Sequence, residues 1–363
     1  MLRDIISQHS AAALGIGGFL IGIVLGALVY RTNFCAMGSI SDMVAFGDQR
    51  RFRAWVLAAA TALIGTQMLA QFGVVDLSKS MYLPGTINWL GNLVGGALFG
   101  FGMVFGGGCA TRNLARVGGG DLKALVTLLV LGIAAYITMT GVLGPLRASL
   151  EQLTALPLPV GTNQGLGSIA ATLTKSQPAA ATWIVARVLT VALLFYCFVD
   201  SRFRSSWLHI ISGIGVGLCI VAGWALTGLA FDELSDKPTA PVSLTFVRPT
   251  GDALEWLQRF TALGAPGFGV ASVFGTIVGA FLMAKSMGRF RLATFSDTAD
   301  TVRSLGGAAL MGIGGIMALG CTIGQGITGV STMAVGSFLT FAGLIAGGIV
   351  GVKTLERQLL AEA

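Results

Sequence analysis

Apolar residues run along this chain in nine blocks, at 12–30, 53–72, 90–107, 122–142, 180–199, 207–227, 266–285, 303–319 and 334–352, with polar connections between them. Each block is close to the roughly 20 residues that a helix needs to cross the hydrocarbon of a bilayer. The first follows a polar stretch, residues 1–10, and is longer than a signal-peptide core, so it is read as a retained span. Two connections, 143–179 and 228–265, are long and carry several prolines, among them Pro157, Pro159, Pro238, Pro241 and Pro249. They are expected to hold surface structure.

Composition agrees with the pattern. Of the 363 residues, 54% are hydrophobic and 11% are charged, where soluble domains carry roughly a quarter. The mean hydropathy is +0.81. So few charges could not cover the surface of a soluble domain of this size, and soluble and disordered classes are excluded. The expected fold is all-α, a polytopic membrane protein of about nine transmembrane helices.

The net charge of +7 follows from membrane orientation and does not point to nucleic acid. Fifteen Lys and Arg residues fall on the side holding the loops after spans 1, 3, 5 and 7 and the C-terminus, against seven on the other. By the positive-inside rule this predicts a multi-pass protein of the bacterial cytoplasmic (inner) membrane, with the N-terminus outside and the C-terminus cytoplasmic.

The 53 glycines imply close helix packing or broken helices. They also reveal a repeat. Gly95–Cys109 (GGALFGFGMVFGGGC) and Gly307–Cys321 (GAALMGIGGIMALGC) are identical at 7 of 15 positions without gaps, and both end in Gly-Cys. The copies close spans 3 and 8. An odd separation of five spans makes them cross in opposite senses. The chain is therefore expected to be one transporter-like domain, 1–363, of two inverted pseudo-symmetric halves, approximately 1–150 and 205–363, with a connector helix at 180–199. Such repeats place substrate sites near the midplane, where broken or re-entrant helices expose backbone groups.

Five cysteines, Cys35, Cys109, Cys197, Cys219 and Cys321, make an odd number without a CxxC, which argues against a disulfide framework or zinc site. Two histidines are too few for a histidine metal site. Cys197 and Cys219 lie inside spans and are expected to pack. Cys35, Cys109 and Cys321 each follow a span and precede small and polar residues: RTNFCAMGSISD, GGGCATRNLARVGGG and GCTIGQGITG. Glycine permits a break there, and a half-helix starting after it would turn its positive end toward a ligand. A soft sulfur suits a sulfur-bearing anion, and also Cu(I). A thiol activated by a helix dipole would suit catalysis.

Around these thiols, Gly108 and Gly320 supply the break. Arg112 and Arg116 either attract anions or anchor the cytoplasmic side. Asn113, Thr322 and Gln325 either hydrogen-bond a bound oxyanion or cap half-helices. Arg187, within span 5, either snorkels or lines the pore. Asp42 is expected to cap or to pair with nearby arginines.

In these segments the sequence resembles the YeeE/YedE family of bacterial membrane proteins, which includes thiosulfate uptake transporters. The match lies in Phe34-Cys35 with Gly38 and Asp42, in Gly106-Gly107-Gly108-Cys109 with Thr111-Arg112-Asn113, and in Gly320-Cys321-Thr322-Ile323-Gly324-Gln325-Gly326. The resemblance covers essentially the whole chain. It implies an hourglass-shaped helical transporter with short helices dipping to a narrow neck. It implies that thiosulfate passes between the thiols of Cys35, Cys109 and Cys321 by S–H hydrogen bonding. It also implies a small cytoplasmic TusA/SirA-like sulfur-carrier protein as partner. The span-6 region Gly213–Thr227 offers no cysteine equivalent to Cys35.

The expected function is uptake of a small sulfur-containing anion, thiosulfate first, by a membrane protein that is not an enzyme. No nucleotide motif or cofactor is called for. Two rivals remain. A membrane thiol sulfurtransferase or oxidoreductase would need a paired thiol. A transporter of another sulfur or selenium species, or of a soft metal, would use the same cysteines.

Overall fold

The computed structural model describes residues 9–233, 239–295 and 297–362. Arg3, Lys237 and Pro238, which entered the charge and loop readings, lie outside the described residues. The chain folds as α1 (Ser10–Thr32), α2 (Ala36–Phe46), α3 (Arg50–Gln71), α4 (Trp89–Phe105), α5 (Ala110–Gly118), α6 (Leu122–Met139), α7 (Gly144–Thr154), α8 (Leu166–Thr174), α9 (Pro178–Val199), α10 (Ser201–Arg204), α11 (Trp207–Ala230), α12 (Val247–Gln258), α13 (Phe260–Leu263), α14 (Phe268–Ser286), α15 (Thr298–Met317) and α16 (Val335–Glu362). Two short strands, β1 (Thr86–Ile87) and β2 (Leu156–Pro157), pair antiparallel with Thr86 opposite Pro157. The all-α class holds.

Among the described residues, eight helical segments are long and apolar enough to cross a membrane, and the chain is a multi-pass membrane protein. The ninth block, 303–319, forms α15, which falls short of that measure. Asp300 and Arg303 lie in its first turns and interrupt the apolar run. Its apolar face need not meet lipid, because α15 is packed between α4 and α6.

Helix contacts rest on small residues, as expected where lipid removes the hydrophobic drive between helices. α1 packs along α14, α3 along α11, α4 along α15 and α16, and α6 along α15. At the α4–α15 crossing a Cβ on Gly95 would stand 2.7 Å from the Gly314 oxygen, and one on Gly314 would stand 2.6 Å from the Gly95 oxygen. Gly102 and Gly307 meet in the same way, each with a hypothetical Cβ 2.6 Å from the other's carbonyl oxygen.

One long connection behaves otherwise than expected. The segment 228–265 does not stay on the surface. Leu244, Phe246 and Val247 are fully buried, and α12 buries Pro249, Thr250, Gly251 and Ala253. The dip is held by side-chain hydrogen bonds in both directions: Thr328 Oγ1 donates to Leu244 O at 2.8 Å, and Ser243 Oγ of the segment donates to Ile220 O of α11 at 2.7 Å. The proline content that suggested a loop serves an extended strap entering the core.

Candidate functional site

The first break lies between α4 and α5. Gly107 and Gly108 carry φ of +70° and +135°, conformations that favour glycine, and they turn the chain so that Cys109 becomes the N-cap of α5 in extended backbone. Asn113 fastens the turn from inside: its Nδ2 donates to Gly106 O at 3.2 Å and to Gly108 O at 2.9 Å. Arg116 donates to Gly107 O at 2.8 Å and pairs with Asp121 at 2.7 Å. Its guanidinium is therefore a tie across the break. Arg112 lays its aliphatic stem over Gly108, leaving no room there for a Cβ.

The second break lies between α15 and the segment that follows Cys321. Leu319 takes φ +59°, and Gly320 N donates back to Gly315 O at 2.7 Å. Cys321 then opens helical residues 322–331, of which Gly324–Gly329 are wound as a π-helix, a rare form found frequently at functional sites. Gln325 fastens this break: its Nε2 donates to Ala318 O at 2.7 Å, and its Oε1 accepts from Ser337 at 2.6 Å. The Cys321 thiol accepts from Gly324 N at 3.3 Å, and lies against the amides of Ile323 and Phe246 and the Thr245 hydroxyl.

Cys35 is the N-cap of α2, reached after Asn33 turns the chain out of α1 with φ +58°. Its thiol accepts from Gly38 N at 3.4 Å. The Cys35 and Cys109 side chains lie side by side, and the Thr322 hydroxyl also touches Cys109. Cys321 is the residue before Thr322. Cys35 and Cys109 thus meet, with Cys321 one residue before the Thr322 that touches Cys109, and in this buried thiol strip no cysteine is more than 6% exposed. All three cysteines stand at the N-terminus of a helical segment, where backbone N–H groups and the helix dipole favour negative charge.

Cys197 and Cys219 stay outside this strip. Cys197 donates to Arg53 O at 3.3 Å within the core, and Cys219 is packed in α11. Asp42 pairs with Arg51 at 3.3 Å. Arg187 lines no pore: it is exposed on α9 and stacks on Trp183 at 5.1 Å.

Some neighbours had no signal in the sequence. The residue that caps α12 and touches the Cys321 site is Phe246, outside the Gly213–Thr227 stretch that lacks an equivalent of Cys35. The extended strap displaces it from the end of α11. Trp55 of α3 was likewise an unremarked aromatic in an apolar run. It stacks on Phe341 at 4.9 Å with rings 8° from parallel, and its edge presses on the Gly326 backbone.

At one end of the bundle a polar cavity of about 670 Å³ is lined in part by Gln67, Gly165, Ser168, Gly228 and Thr332. Lys79 and Glu233, also in its lining, form an ion pair. Its floor reaches the far end of the Cys321 segment, where Gln67 Nε2 donates to Ser331 O at 2.8 Å. The segment 321–332 therefore connects an open polar depression to the thiol strip.

Comparison with known proteins adds to this geometry. Residues 31–350 match the family model described as Sulphur transport. The thiosulfate transporter TsuA of Escherichia coli (strain K12) is 29% identical over 337 residues, 86% of each chain. The protein of the same name from Spirochaeta thermophila is 28% identical over 321 residues, 86% of this chain and 90% of that one. The probable transporter YedE of Escherichia coli (strain K12) is 32% identical over 99 residues, 27% of this chain.

Proposed function

Because the chain belongs to the sulphur transport family, we propose that it carries a small sulfur-containing anion, thiosulfate foremost, across the cytoplasmic membrane into the cell. The relatives named for thiosulfate transport support the substrate. The observation that supports the mechanism is the contact of the Cys35 and Cys109 thiols, with Cys321 one residue before the Thr322 whose hydroxyl touches Cys109.

The anion enters the polar cavity, which the charge distribution puts on the extracytoplasmic side with the N-terminus, the C-terminus being cytoplasmic. It follows the 321–332 segment to Cys321, then Cys109 and Cys35. At each step a thiol donates a weak hydrogen bond to the terminal sulfur, and adjacent backbone N–H groups offset the charge. Weak sites in series permit release as well as capture. Asn113 and Gln325 hold the breaks open and Thr322 faces the path. On the cytoplasmic side a TusA/SirA-like sulfur-carrier protein receives the anion.

The halves, approximately 1–150 and 205–363 with α9 as connector, are inverted repeats in this reading. Exchange of partners supports it: α1 lies on α14 as α11 lies on α3, and α4 lies on α16 as α15 lies on α6. At the centre α4 and α15 meet each other through Gly95–Gly314 and Gly102–Gly307, the reciprocal pairing that a two-fold axis generates.

The test is uptake of labelled thiosulfate by cells carrying the chain with serine at Cys35, Cys109 or Cys321 singly. Loss of uptake, with no covalent adduct on the protein by mass spectrometry, is the expected result. Retained uptake in all three variants would sink the relay. A persulfide or mixed disulfide accumulating on the adjacent Cys35–Cys109 pair would favour thiol chemistry instead.

A further inference from the structure

We propose that Trp55 and Thr322 form a seat for a single oxygen atom of the transported anion, beside the Cys109 thiol. The inference rests on the transport reading above and adds to it an oxyanion subsite with a new residue, Trp55.

A small cavity of about 10 Å³ lies beside the thiol strip, lined by Ala36, Ser39, Trp55, Met103, Thr322 and Phe341 among others. That is close to the room occupied by one water-sized group. Trp55 and Thr322 are each 2% exposed. Trp55 Nε1 is buried without a hydrogen-bond partner among the described residues, and Thr322 Oγ1, buried as well, has beside it only the Cys109 thiol, a weak partner. Buried polar groups are nearly always paired, and an unpaired one is costly, so an unpaired and a weakly paired group on the wall of one cavity require an explanation.

The chemistry of the wall specifies the guest. An indole N–H only donates, and a threonine hydroxyl is free to donate. Ser39, the other polar group there, donates to Ala36 O at 2.6 Å. The lining holds no cation and no carboxylate. Two available donors in an apolar, oxygen-sized space fit one oxygen of an oxyanion. Stacking on Phe341 and contact with Gly326 hold the Trp55 ring in place. The Thr322 hydroxyl stands beside Cys109, so an anion with an oxygen in this seat brings its sulfur against that thiol. A site built to hydrogen-bond a group discriminates strongly when the pairing is removed.

The experiment measures labelled thiosulfate uptake kinetics for the unsubstituted chain and for Trp55→Phe, Thr322→Val and Thr322→Ser, with size-exclusion profiles and melting temperatures recorded on each. The expected result is a KM raised tenfold or more in Trp55→Phe and Thr322→Val at unchanged melting temperature, with Thr322→Ser close to the unsubstituted chain. Should Trp55→Phe fail to fold, the Thr322 pair decides. Unchanged KM in Thr322→Val, or equal losses in Thr322→Val and Thr322→Ser, overturns the oxygen seat and leaves the transport reading standing. Absence of thiosulfate uptake by the unsubstituted chain overturns both.

Discussion

Asn113 and Gln325 occupy matching places in the two breaks. Each stands four residues beyond a cysteine, and each donates its side-chain amide to the carbonyl three residues before that cysteine, Gly106 O at 3.2 Å and Ala318 O at 2.7 Å. The sequence left these amides between touching an oxyanion and capping a half-helix. Their hydrogen bonds make them fasteners of the chain reversal that aims each thiol.

Replacing either fastener by alanine leaves a buried carbonyl without its donor, at a cost of about 1–3 kcal/mol. Asn113→Ala also frees the Gly108 carbonyl and strips Arg116 of an acceptor at 3.2 Å, and Gln325→Ala strips Ser337 of its acceptor at 2.6 Å, so the two are expected to cost similar amounts. Melting temperature in detergent reads this directly. A variant that keeps its full melting temperature yet loses thiosulfate uptake would show that the amide meets the anion instead.

Backbone conformation gives a second expectation. Gly108 has φ +135°, and a Cβ there would lie 2.8 Å from Arg112 Cγ. Gly108→Ala is therefore expected to lose more than about 1 kcal/mol and to displace Cys109, the next residue. Gly306, inside α15 with nothing within 4 Å of a Cβ, is the control. Gly306→Ala is expected to gain roughly 0.5–1 kcal/mol from better helix propensity. Chemical or thermal denaturation of the two variants side by side gives the comparison, and equal effects would refute the argument.

Arg187 supplies a negative expectation. Its exposed position over Trp183 places it on the bundle surface, away from the thiol strip. Arg187→Gln is expected to leave the KM for thiosulfate within about twofold, the range of an exposed contact worth under ~0.5 kcal/mol. A tenfold rise would return Arg187 to the pathway.

Much of this arrangement was legible in the sequence because membrane spans and breaks are written in composition. Apolar length gave the helices, and the Gly-Cys endings gave the breaks at Cys109 and Cys321. What sequence could not supply was each group's partner. α15 looked like a lipid-crossing span, but its charged first turns are tolerable because α4 and α6 cover its apolar face. The strap through Ser243, Thr245 and Phe246 looked like a loop, since proline and polarity mark extended chain without saying whether it is buried. Trp55 carried no signal, because an indole in an apolar run differs from a binding group only in whether its N–H is paired.

The central glycine crossing allows the inverted repeat itself to be tested by energetics. Gly95 and Gly307 are aligned in the two copies, and each would press a new Cβ onto the opposite backbone, at 2.7 Å from Gly314 O and 2.6 Å from Gly102 O respectively. If the copies are equivalent, Gly95→Ala and Gly307→Ala lower the melting temperature by similar amounts. The two contacts are separated by seven residues of helix, about 10 Å at 1.5 Å per residue. Their effects should then add to within about 0.5 kcal/mol in the double variant. Gly95→Ala with Gly314→Ala is the opposite case, because both substitutions push apart the same contact. The second then costs less than it does alone, and the double variant falls short of the sum. Additivity within a contact and coupling across contacts would mean that the helices adjust along their whole length, and the reciprocal two-fold pairing would have to be given up.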